Sequence, residues 1–170
     1  MAPAKSKKKA GPGRARVGKA GLRVFLDRVT ALAGPILAGM GLELVMARAP
    51  LLGGRAVIRL FIDRVPGAVS LDDCAAVSRA LEAALEAEEA EAPYVLEISS
   101  PGLDRPLLKP EDCLRFQGRP ARLKLRRGGT VGVYRGRLAL GETGGPALQT
   151  EAGLLDFDWS EVVSGRLTLD

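Results

Sequence analysis

Histidine is absent from this 170-residue chain. A serine or cysteine nucleophile therefore has no imidazole base to activate it, and the usual nitrogen ligand for zinc is missing. Cysteine occurs only twice, at Cys74 and Cys113. Each lies in an apolar-patterned helical segment with no Cys-x-x-Cys spacing, so a zinc site is effectively excluded. Both thiols are expected to be small buried hydrophobes. Aromatic residues make up only 4% of the chain, which leaves an aliphatic core and few rings on which nucleotide bases could stack. No apolar run approaches the roughly 20 residues of a bilayer-spanning helix, and no hydrophobic leader follows the start. The chain is expected to be soluble and cytoplasmic. Gly11-Pro12-Gly13 is read as lacking the strand-to-helix sequence context that a phosphate-binding loop needs. These absences point away from an enzyme, and no cofactor or metal is expected.

Charge is present in blocks. Residues 1–23 hold eight basic residues and no acidic one, residues 24–98 six basic and eleven acidic, residues 99–140 ten basic and three acidic, and residues 141–170 one basic and six acidic. The modest net charge of +5 conceals two cationic segments. Residues 1–21 mix Lys, Arg, Gly, Pro and Ala with almost nothing to bury, so they are expected to form a disordered basic tail. Lys7, Lys8, Lys9, Arg14 and Arg16 are its candidate RNA contacts, and a solubilising tail is the alternative.

From residue 22 the apolar pattern becomes regular. Leu22, Phe25, Val29, Leu32, Ala33, Ile36 and Met40 follow a helical stripe closed by Gly41, with Pro35 expected to kink it. Strands are predicted at 42–48 and 55–64, joined by a hairpin whose tip carries Leu51 and Leu52; these fold back on the sheet or meet a partner. A second helix opens at Ser70 with Asp73 in the capping-box position. It buries Cys74, Val77, Leu81, Ala84 and Leu85. Glu82, Glu86, Glu88, Glu89 and Glu91 read as a solvated face. A strand at Tyr94 completes the order α-β-β-α-β, two helices over a three-stranded sheet.

That strand runs into Ser99-Ser100-Pro101-Gly102-Leu103-Asp104-Arg105-Pro106-Leu107. Pro101-Gly102 fits a type II turn, in which glycine supplies the positive φ, and Pro106 keeps Arg105 extended. Ser99 and Ser100 either cap their own turn or contact a ligand, Asp104 either accepts amides of the following bend or does the same, and Arg105 is read as the contact residue or an interdomain clamp. This nine-residue motif resembles that of the bacterial ribosome maturation factor RimP family.

The fold class is α+β. After a linker with a short helix (104–117) that follows the N-terminal domain (22–103), residues 118–170 change to short strands punctuated by glycines. Strands are expected at 121–126, 131–140, 147–150, 154–158 and 166–169, with a 3₁₀ turn at Trp159. This pattern suits a small SH3-like (Sm-like) barrel that closes its own edges, and the resemblance implies the same arrangement. The basic stretch comprises Arg105, Lys109, Arg115, Arg119, Arg122, Lys124, Arg126, Arg127, Arg135 and Arg137. Arg122, Lys124 and Arg126 alternate onto one side of a strand and span roughly 13 Å. That is a track for phosphates or a solvated face. Together with Ser99, Ser100, Gly102, Asp104, Arg105, Lys109, Arg119 and Arg127 they are the candidate ribosome or RNA contacts.

The resemblance implies a non-enzymatic factor, monomeric, that binds the free 30S small ribosomal subunit and promotes its maturation. Its partners would be 16S rRNA and a ribosomal protein near the decoding centre. The other class of function is a general RNA-binding regulator of Sm-like type, which would form a ring of six or seven copies.

Overall fold

The computed structural model describes residues 4–7, 19–52, 55–88, 94–102 and 104–169. The chain divides into two compact units, Met1–Pro101 and Gly102–Asp170.

In the first unit, helix α1 (Lys19–Gly39) and helix α2 (Leu71–Ala87) pack on a sheet of strands β1 (Ala4–Lys7), β2 (Glu43–Arg48), β3 (Leu51–Leu52), β4 (Arg55–Asp63) and β5 (Tyr94–Ser99). The strand order is β1-β5-β4-β2, with β3 paired to β4. β4 and β5 run parallel, as a crossover through α2 requires. Alternation puts Ile58, Leu60, Ile62, Leu96 and Ile98 on the helix side, where they meet Val29, Leu37, Val77, Leu81 and Leu85 in one aliphatic core. The four residues Ile58, Leu60, Ile62 and Ile98 are fully inaccessible. Burying side chains of this size is worth about 1.5–3 kcal/mol each.

Local chemistry sets the ends of α2. The Asp73 amide donates to Ser70 Oγ at 3.0 Å, and the Ser70 amide donates back to Asp73 Oδ2 at 2.9 Å. Donation to the carboxylate by the Ser70 amide and then the Ser70 hydroxyl, followed by the nearby Arg64 guanidinium, holds the Asp73 carboxyl below the usual range. Helix α1 continues through Pro35.

The observed order differs from α-β-β-α-β by two added strands. β3 pairs Leu51 with Ala56 and Leu52 with Arg55, leaving both leucine side chains exposed. β1 pairs antiparallel with β5, Lys5 opposite Glu97 and Lys7 opposite Val95. Strand addition at a sheet edge needs only main-chain groups, so hydropathy gave no sign of it in the basic segment. Glu89, Glu91, Leu103, Lys8, Lys9, Arg14 and Arg16 lie outside the described residues.

The second unit contains β6 (Pro106–Leu107), helix α3 (Pro110–Arg115), β7 (Pro120–Arg127), β8 (Thr130–Leu140), β9 (Pro146–Thr150), β10 (Gly153–Asp156), a 3₁₀ turn (Trp159–Glu161) and β11 (Val162–Leu167). β7 to β10 form an antiparallel meander, and β11 returns to the far side of β7, giving the order β10-β9-β8-β7-β11-β6. This path is open. The closed edges expected of a small barrel are not formed by pairing among the described residues, because the chain leaves β10 through the 3₁₀ turn and rejoins the sheet beside β7. The last strand starts at Val162, ahead of the expected 166, and pairs Val162 with Leu125 across a bulge. Leu123, Leu125, Leu138, Leu148 and Leu167 are buried on the inner face. Gly136 lies where β8 meets β9: a β-carbon there would fall 2.2 Å from the Gln149 carbonyl oxygen.

Candidate nucleic-acid interface

The motif at Ser99 is built as the turn chemistry demands. β5 ends at Ser99, opposite Phe61, and Gly102 takes φ +71°, a conformation that favours glycine. Ser99 and Ser100 are half-buried, while Gly102 and Asp104 are exposed.

Arg105, read as a contact residue or an interdomain clamp, is a buried side chain. It is only 5% exposed, and its guanidinium carbon sits 4.7 Å from the centre of the Phe116 ring. Its carbonyl accepts the Leu167 amide at 2.8 Å. The cation therefore packs inside the second unit, on one of the few aromatic rings of the chain. Arg115 approaches the same ring at 5.8 Å from an exposed position.

Helix α3 is anchored beside this pair. The buried Asp112 carboxylate accepts the amides of Leu108 at 2.7 Å and Lys109 at 3.1 Å, and Pro110 starts the helix without a donor to satisfy. Lys109 itself is exposed. Cys113 is fully buried; burial, then the charge of Asp112, pushes its thiol up to about 11. Neither that thiol nor buried Cys74, raised for the same leading reason, is an activated nucleophile.

The outer face of the second sheet carries the positive charge. Along β7 the inner residues Ala121, Leu123 and Leu125 are buried, while on the other side Arg122 is half-buried and Lys124 and Arg126 are exposed. Register then adds what spacing could not show. Arg122 lies opposite Arg135 on β8 and opposite Arg166 on β11, so three arginines from three adjacent strands form one row. Lys124 heads the next row, between Val133 and Ser164, and Arg126 lies opposite Val131. Among the described residues no carboxylate pairs with Arg122, Lys124, Arg126, Arg135 or Arg166, and the buried Arg122 Nε has no hydrogen-bond acceptor. Arg166 was invisible as a site residue, being a single basic residue in an acidic segment.

Other candidates are committed elsewhere. Arg127 donates to the Asp156 carbonyl and to Glu161 Oε2, the latter at 3.2 Å, which ties β7 to the 3₁₀ turn. Arg137 donates to the Gly118 carbonyl at 3.0 Å. Arg119 is exposed at the start of the sheet, and Lys7 ends β1 in the other unit. Among the described residues no cluster of three metal-ligating side chains occurs, and no helix is long and apolar enough to cross a membrane.

Comparison with known proteins agrees with the motif. Residues 32–104 match the model of the RimP N-terminal domain, a stretch running from within α1 through the Pro-Gly turn. Two proteins named ribosome maturation factor RimP, from Nitratidesulfovibrio vulgaris strains DP4 and Hildenborough, are each similar at 39% identity over 150 residues. That span covers 80% of this chain and 86% of theirs. A likeness of this extent takes in both compact units, and the chain belongs to the RimP family of ribosome maturation factors.

Proposed function

We propose that the protein is a non-enzymatic assembly factor, monomeric and cytoplasmic, that binds the free small ribosomal subunit and promotes its maturation. One observation carries the reading within the family: an exposed sheet face with five cations and no carboxylate partner among the described residues. Such a surface suits phosphate, the chemistry of 16S rRNA. Base reading has no support there, since the paired outward positions of β7 and β8 from Arg122 to Arg126 hold only Arg, Lys and Val, and phosphate contacts position a protein without specifying sequence. A ribosomal protein near the decoding centre is the second partner that the family resemblance suggests. The SH3-like reading of the second unit rests on its meander with the last strand returned to the first.

Sedimentation tests the proposal. The purified chain is expected to pellet with free small subunits and to stay in the supernatant with large subunits and joined ribosomes. Equal pelleting with large subunits would refute it. A solution mass of six or seven copies would favour a ring-forming regulator.

A further inference from the structure

We infer that the arginine row Arg135–Arg122–Arg166, with Lys124 and Arg126 beside it, is a seat for the sugar-phosphate backbone of double-helical RNA. The inference deepens the assembly reading and rests on it for its ligand class.

Three observations lead there. The first is an unneutralised like-charge row. Directly opposed residues on paired strands have β-carbons about 4.5–5.5 Å apart, and like charges so placed destabilise a sheet. Here Arg122 faces an arginine on both sides, and its buried Nε lacks an acceptor. Anionic oxygens between the guanidinium groups would turn repulsion into charge-assisted hydrogen bonds.

The second is shape. The row crosses three strands, about 10 Å, and the column Arg122–Lys124–Arg126 runs along β7 for about 13 Å. A single strand needs only a line of cations. A two-dimensional lattice can hold phosphates from both strands of a duplex across its shallow groove.

The third is what the face carries between its charges. Single strands are held by rings on which bases stack. Tyr134 belongs to the inward parity of β8, opposite buried Leu123, and Phe116 and Phe157 are buried. The outward neighbours are Val131, Val133 and Ser164, small groups that let a backbone approach and offer a hydroxyl to ribose. Beside Arg135 the surface falls into an open depression of about 820 Å³, which Tyr134, Arg137 and Glu151 also line, so a single ring stands at the margin of the face and none stands between its charges. The Glu151 carboxylate makes no ion pair with the row, and it marks the edge of the cationic face.

The test uses the full chain and a labelled RNA duplex of roughly 20 base pairs, together with each of its strands alone. Wild type is expected to bind the duplex at least about tenfold more tightly than either strand at physiological salt. The Arg122→Gln/Arg135→Gln/Arg166→Gln variant should lose at least about tenfold in duplex affinity, with a salt slope shallower by about 2–3. Arg135→Glu, a single change at an exposed site, should lose several-fold and serves if the triple variant does not fold. Equal affinity for duplex and single strand would overturn the inference, and so would folded variants that bind the duplex like wild type. Pelleting with free small subunits separates the two readings. If wild type and the triple variant pellet alike, the arginine row is wrong and the assembly role stands. If wild type ignores the subunit yet selects the duplex through these arginines, the row stands and the assembly role falls.

Discussion

Replacing Arg105 by alanine should unfold the second unit at a much lower temperature. The side chain is 5% exposed and stacks at 4.7 Å on Phe116, itself 8% exposed. A desolvated cation–π contact is worth about 2 kcal/mol. Truncation also removes the packed methylene stem, on the order of 1–2 kcal/mol more. The main-chain bond from Leu167 to the Arg105 carbonyl survives, so the loss should total about 3–4 kcal/mol. For a unit of this size each kcal/mol moves the midpoint by about 4–8 °C, which makes a drop of well over about 10 °C the expected result. The chain has one tryptophan, Trp159, and it lies in this unit, so its fluorescence reports the relevant transition. Arg105→Met keeps the stem without the charge and should recover roughly half of the loss. A melt of Arg105→Ala within about 3 °C of wild type, combined with lost small-subunit binding, would refute the packing argument and restore Arg105 as a contact residue.

Gly136→Ala should destabilise by about 2–3 kcal/mol, because its β-carbon would meet main-chain oxygen at 2.2 Å. Gly102→Ala, with open space around it but φ +71°, should cost nearer 1 kcal/mol; chemical denaturation ranks the two, and the reverse order would contradict the geometry. Asp73→Asn should lower the midpoint at neutral pH. The Asp73 carboxyl titrates below its ordinary value in the fold, so its contribution is present above the unfolded pKa and fades as pH falls through the folded one. Melts of the two proteins should therefore converge in acid, and a constant gap would exclude the charge as the cause. Cys113 behaves in the opposite sense. With the thiol raised from 9.0 to about 11, the unfolded chain loses its proton first, so stability should decline as pH rises across that interval. Cys113→Ala should flatten that alkaline limb, and an unchanged limb would assign it to other groups.

Much of the architecture was readable from residue order because its causes are local. Helix α2 is specified by Ser70 and Asp73 at its start and by a stripe from Cys74 to Leu85. Strands β5 and β7 announce themselves through alternation, whose period of two equals the pleat, and β4 through a nearly continuous apolar run. Pro101-Gly102 predicts its own turn, and the positive φ at Gly102 follows. The nine-residue motif likewise carried the family.

Tertiary structure decided what depends on partners distant in sequence. The short strands β1, β3 and β6 exist through main-chain pairing to strands already formed, and no side-chain pattern encodes that. Residue order offers Arg105 as a contact residue or an interdomain clamp and gives no sign of its ring partner, Phe116, which lies eleven positions on. The arginine row is the clearest case. Arg122, Arg135 and Arg166 come from three strands, and only the register of β7 against β8 and β11 sets them side by side. Register is a pairing property, fixed by which faces are buried together. A local pattern can therefore state that Arg122 points outward, while only the assembled sheet determines which cations stand beside it.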